Sequence, residues 1–82
     1  MMNFSKLHDA YSKELIDYCS SLIKDKDRVI VIVSSCFVDL YGAVEDFESD
    51  ENAKLFLFDS AHAKCKRFLA RRDGINVNAQ LN

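Results

Sequence analysis

The chain has no proline and only two glycines, Gly42 and Gly74. These residues are the usual punctuation of turns, so their scarcity predicts few, long elements joined by short polar connections. It argues against a multi-stranded sandwich or barrel, which needs a turn about every ten residues. No Cys-x-x-Cys pair is present either; the three cysteines, Cys19, Cys36 and Cys65, are odd in number and widely spaced. No apolar leader is expected either, because residues 1–15 hold Lys6, Asp9, Lys13 and Glu14 where one would need hydrophobic side chains. Free thiols and a cytoplasmic location are therefore expected. The most apolar run, Val29 to Val44, is short for a membrane span and contains Asp39, so no span is expected.

What is present is ordinary for a globular protein: 49% hydrophobic and 29% charged residues in a chain of 82. A wholly disordered chain would be far less apolar. The length suits one domain with a modest core and a thin margin of stability. We expect one helical domain over residues 1–74 and a loosely ordered tail over 75–82, which carries no charged side chain.

Two segments have clear helical periodicity. Phe4, Leu7, Tyr11, Leu15, Tyr18, Cys19 and Leu22 recur at spacings of three and four, with charged residues on the other face. This predicts a helix over 4–24. Leu57, Phe58, Ala61, Cys65, Phe68 and Leu69 form a second stripe. Ser49 or Asp50 suits its start, Asp50 and Glu51 complement the positive end of its dipole, and Gly74 stands where a left-handed residue often ends a helix. This predicts a helix over 50–73.

The middle is ambiguous. Val33, Cys36, Phe37, Leu40, Tyr41, Val44 and Phe47 follow helical spacing, yet Val29 to Val33 are five consecutive β-branched residues that favour a strand. The reading adopted is mainly α, a three-helix antiparallel bundle with helices at about 4–24, 28–48 and 50–73. Similar lengths and short loops make such a bundle close easily. The alternative is α+β, with a small sheet from residues 29–33 and 54–58. Gly42 counts against the bundle, since a glycine within a helix costs about 1 kcal/mol, unless it admits a neighbouring backbone.

Three sets of residues are candidates for function. Val31, Ile32 and Val38 are more apolar side chains than one helix of a three-helix bundle needs, and surplus apolar surface points to self-association; a buried strand would need no partner. Charge is the second signal. Residues 39–59 hold seven acids against one lysine, a balance of −6, whereas residues 60–74 hold five bases against one acid, +4. The acids Glu45, Asp46, Glu48, Asp50 and Glu51 are expected to bind a basic protein partner, or else to be a solvated turn. Lys64, Arg67 and Arg71 share a helical face, and with Arg72 they offer phosphate contacts. The overall balance of −2 speaks against nucleic acid as the main partner.

Catalytic chemistry has little behind it. His62 and Cys65 share a face, and with Cys19 and Cys36 they make a conceivable Cys₃His zinc set. Buried cysteines at such positions are more often small core hydrophobes, so neither metal nor cofactor is expected. No nucleophile–base arrangement or glycine-rich phosphate loop can be argued from spacing, so no enzyme activity is expected. The aromatics Tyr11, Tyr18, Phe37 and Tyr41 permit a ligand pocket between helices, though aromatics at such positions are more often core.

In size and make-up the chain resembles the small regulatory proteins of bacteriophages and other mobile elements, among them inhibitors of host defences, host-takeover adaptors and accessory factors of lysis timing. No particular motif carries that likeness. The expected function is a non-enzymatic, protein-binding regulatory module that forms a homo-oligomer. The alternative is a nucleic-acid-associated regulator using the basic face of the last helix.

Overall fold

The computed structural model describes the backbone of residues 4–43 and 49–81 and the side chains of residues 5–43 and 49–71. Within it the chain forms three α-helices, α1 (Phe4–Leu22), α2 (Lys26–Gly42) and α3 (Asp50–Leu81), each packed against the other two. No strand occurs among the described residues. The three-helix bundle is the correct reading, and the small sheet over 29–33 and 54–58 is not formed.

The local reasons can be read at each helix end. The backbone N–H of Ile23 still donates to the Cys19 carbonyl, at 2.8 Å, and Ile23 is buried although it lies just past α1. The chain then turns through Lys24 and Asp25. Asp25 is extended (φ −89°, ψ 106°) and accepts from the Arg28 N–H through Oδ1 at 3.1 Å. This N-cap starts α2 at Lys26 rather than at 28. Replacing Asp25 by alanine should cost about 1 kcal/mol of stability, within the usual ~0.5–2 kcal/mol for a lost cap, read as a lowered urea midpoint. An unchanged midpoint would deny the cap that role.

The β-branched run goes helical because its apolar side chains have a home there. Val29, Ile32, Val33, Cys36, Phe37 and Leu40 are buried at spacings of three and four. Tertiary burial of one continuous stripe outweighs the local preference for a strand. α2 stops at Gly42, where the Ala43 N–H donates to the Leu40 carbonyl at 3.0 Å. It does not run to 48 as expected; residues 44–48 lie outside the described residues. Gly42 is therefore a terminal residue, not an interior one. Among the described residues a Cβ built there would meet nothing within 4 Å, so none of their backbone requires a glycine at this position.

α3 begins where expected. Ser49 Oγ accepts from the Asn52 N–H at 3.2 Å, and Asp50 and Glu51 occupy the first turn. Ala53, Leu57, Ala61 and Cys65 form its buried stripe. It does not end at Gly74: α3 continues to Leu81, and no described glycine has a positive φ. A helical glycine costs only about 1 kcal/mol, and no proline follows to force a stop.

Leu15, Leu40 and Leu57, one from each helix, are the largest fully buried side chains, and no polar or charged side chain is buried among the described residues. Glu14–Lys54, Tyr18–Phe58 and Tyr18–His62 run in the same order along α1 and α3, so these two helices are parallel. Asp39–Lys64 and Arg28–Phe68 run in opposite order along α2 and α3, which are antiparallel. The N-terminal end of α2 therefore lies beside the basic part of α3. Its C-terminal end lies at the acidic start of α3.

Candidate functional site

The outer face of α2 differs from those of its neighbours. α1 presents Lys6, Asp9, Lys13, Glu14 and Asp17 to water, as a solvated helix does. From Ile30 to Gly42 the exposed residues of α2 are Ile30, Val31, Ser34, Val38, Asp39, Tyr41 and Gly42. Ile30, Val31, Val38 and Tyr41 are 53%, 55%, 64% and 43% exposed. The single charge, Asp39, is drawn toward α3 by Lys64, whose Nζ lies 2.9 Å from Oδ2.

The structure thus leaves two of the three expected self-association residues, Val31 and Val38, on this face. Ile32 is not among them. It is only 6% exposed and belongs to the core, because it shares a stripe with Val29 and Cys36. Ile30 and Tyr41 take its place on the surface. The expectation that Tyr41 continues the buried stripe fails for the same reason: it lies three turns beyond Ile30, on Ile30's side of the helix. The signal for Ile30 lay in the spacing itself: counting back in threes and fours from Cys36, Phe37 and Leu40 reaches Val33, Ile32 and Val29 and passes over Ile30 and Val31. Leu55, 63% exposed on α3, is a further apolar residue that the periodicity did not single out.

Beside this face, between α2 and α3, runs a groove of about 440 Å³ with Arg28, Lys64, Arg67 and Arg71 among its lining residues, along with Val31 and Phe68. The groove gathers three of the expected basic residues and adds Arg28, which sequence reasoning missed because it lies on another helix. The side chain of Arg72 lies outside the described residues. Lys64 is engaged by Asp39, and the Arg28 guanidinium sits 5.5 Å from the Phe68 ring centroid. Arg67 and Arg71 lie one turn apart and exposed, with no ion pair among the described residues. Of the expected acidic set, Asp50 and Glu51 are exposed at the start of α3. Glu45, Asp46 and Glu48 lie outside the described residues.

The thiols meet in the core. Cys19, Cys36 and Cys65 come one from each helix and are fully buried and unpaired. Burial, then a hydrogen bond with Cys65 and the proximity of the other thiols, pushes the Cys19 thiol up to about 12. Burial also raises Cys36, opposed by a hydrogen bond from Ser60 and by nearby Lys64. His62 takes no part in such a set: it is exposed, and its Nδ1 lies 2.8 Å from the Tyr18 hydroxyl. Among the described residues no group of three or more His, Cys, Asp or Glu side chains is placed to hold a metal ion. The cysteines serve as small apolar filling.

This burial has a pH signature. An unfolded thiol ionises near its ordinary value of 9.0, whereas folded Cys19 holds its proton to about 12. Between these values the unfolded state binds fewer protons, so stability falls as pH rises. The contribution is complete below pH 9 and is lost toward pH 12. Melting temperature should therefore decline above pH 9, and less steeply in Cys19→Ala; equal slopes for the two proteins would contradict the assignment.

The four aromatics considered for a ligand pocket do not come together. Phe37 is buried, and Tyr11 and Tyr18 pack half-buried against the core. Phe37 and Tyr41 line a groove of about 320 Å³ between α1 and α2, together with His8 and Ile30, and neither Tyr11 nor Tyr18 reaches it. No described helix is long and apolar enough to cross a membrane. No protein-family model, no curated protein and no solved structure matches the chain.

Proposed function

We propose that this protein is a small non-enzymatic binding module that self-associates and acts by occupying the surface of another protein, as an inhibitor, adaptor or accessory factor does. One observation carries the reading: the outer face of α2 exposes Ile30, Val31, Val38 and Tyr41, and its one charge is engaged sideways by α3. Apolar area left in water forgoes about 25 cal/mol per Å². Depletion of charge with retention of aromatic and aliphatic side chains is what the centre of a protein interface looks like. The exposed acids Asp50 and Glu51 extend the surface toward a basic partner.

The thiols and both histidines are engaged within the fold. The thiols are buried, His62 meets Tyr18, and His8 packs against Phe37 with ring centroids 4.8 Å apart. Unpaired thiols also favour a reducing, cytoplasmic setting. A photo-activated cross-linker placed at Val38 should capture a polypeptide in the native cell, and one placed at Lys13 on α1 should not. No adduct at Val38, or equal adducts at both sites, would overturn the reading.

A nucleic-acid-associated role is the second reading, favoured by the meeting of Arg28 with Lys64, Arg67 and Arg71 in one groove. The engagement of Lys64 by Asp39 weakens it. It requires binding to short duplexes at low salt that falls steeply with added salt; no binding at low salt removes it.

A further inference from the structure

We propose that the groove between α2 and α3 binds a small polyphosphate with an apolar body, of the class of the nucleoside di- and triphosphates. The guanidinium groups of Arg28, Arg67 and Arg71 hold its phosphoryl oxygens. The site stands apart from the self-association reading. Its cations lie on the α3 flank of α2, and of the four exposed apolar residues on the α2 face only Val31 also lines the groove.

The concentration of positive charge is the first observation. Arg28 from α2 and Lys64, Arg67 and Arg71 from α3 converge on one groove, and none of its lining residues is an acid. Asp25 and Asp27 stand at the start of α2, yet neither lines the groove. Asp39 engages Lys64 at 2.9 Å, and no ion pair among the described residues engages the three arginines. Like charges gathered from two helices repel one another, and a bound polyanion offsets that repulsion.

The kind of cation is the second. Arginine presents a planar fork that grips phosphate oxygens in pairs, where lysine is a point charge. One carboxylate satisfies one fork. Three forks around one groove suit a ligand with several negative charges in a short length. Arg28 is already positioned, because its guanidinium lies 5.5 Å from the Phe68 ring centroid, a cation–π contact that holds it beside the groove.

Size selects the ligand class. From Lys64 to Arg71 the basic stripe covers about 10 Å of helix, room for two or three linked phosphoryl groups. Backbone binding to a duplex commonly engages about 6–10 phosphates, more than three arginines can serve. Elsewhere the chain opposes a long polyanion, since residues 39–59 carry −6 and the whole chain −2. The groove volume of about 440 Å³ lies within the ~300–1,000 Å³ of small-molecule sites. Val31, Ile32 and Phe68 give it an apolar wall for the ligand's body, and Ser35 adds a hydroxyl.

Calorimetric titration of the wild-type chain with ADP and ATP, without added magnesium, tests the site. Both should bind, AMP at least about tenfold more weakly, and adenosine not measurably. Arg67→Gln with Arg71→Gln, and separately Arg28→Gln, should weaken ATP about tenfold or more. Lys13→Gln with Lys66→Gln removes as much charge as the double arginine variant, but from residues outside the groove, and should change binding less than about twofold. Circular dichroism checks that each variant folds. Independently of any variant, ATP should shift the backbone amide resonances of Arg28, Ser35, Arg67 and Arg71 in the wild type. No binding at millimolar nucleotide, equal binding of adenosine, or equal losses in the lysine control would overturn the site. A short duplex that binds more tightly than ATP through the same arginines assigns the groove to nucleic acid and overturns it too. None of these outcomes bears on the α2 interface.

Discussion

Leu57→Ala is expected to remove most of the stability of the fold, whereas Leu55→Ala, two residues away, is expected to leave it within about 0.5 kcal/mol of the wild type. Leu57 is fully buried on the inner stripe of α3, and Leu55 is 63% exposed. Truncating a buried leucine to alanine costs about 2–5 kcal/mol through lost transfer energy and the cavity left behind. A domain of this size holds only about 3–5 kcal/mol from its core in many cases, so the variant should be largely unfolded without stabilising salt. The pair also separates helix from strand. In a strand, residues 55 and 57 point to the same side and would suffer alike. In α3 they are about 200° apart around the axis. Urea titrations of the two variants decide the matter: similar midpoints would contradict the helix.

The second large effect is expected from Val31→Asp combined with Val38→Asp. Both side chains lie on the α2 face and outside the core, so the fold should survive with little change in its melt. Association should weaken about a hundredfold or more, because an unpaired carboxylate is costly to bury in an apolar contact and a twofold interface takes each substitution twice. Light scattering coupled to size exclusion reads the change directly. Ile32→Asp is the contrasting control. It places a charge in the core, so it should unfold the chain outright. A double variant that assembles like the wild type would remove α2 from the interface.

Much of the fold was legible because its stripes were sparse. In α1, Leu7, Leu15 and Cys19 recur among polar and charged residues, and in α3 Leu57, Ala61 and Cys65 recur at spacings of four, and these are residues that the bundle buries; Leu22, expected on the α1 stripe, is 39% exposed, and Ile23 is buried in its stead. Contrast failed between Val29 and Val33. With every residue apolar, periodicity cannot say which side chains face inward. The phase is set further along, by the stripe through Cys36, Phe37 and Leu40, and it exchanges Ile32 for Ile30 on the surface. The basic groove was half legible. The spacing of Lys64, Arg67 and Arg71 shows a shared face, but Arg28 joins them only through tertiary packing. The charge division along the chain was visible in the sequence, and the Asp39–Lys64 pair that ties α2 to α3 was not. Gly74 misled because glycine is common at helix ends without being confined to them.

The central claim is that α2 presents an interface, and sedimentation velocity of the untagged wild-type chain, from sub-micromolar to high micromolar concentration, tests it most directly. The account predicts a boundary that moves from monomer to dimer as concentration rises. A single monomer-sized boundary at every concentration would contradict it.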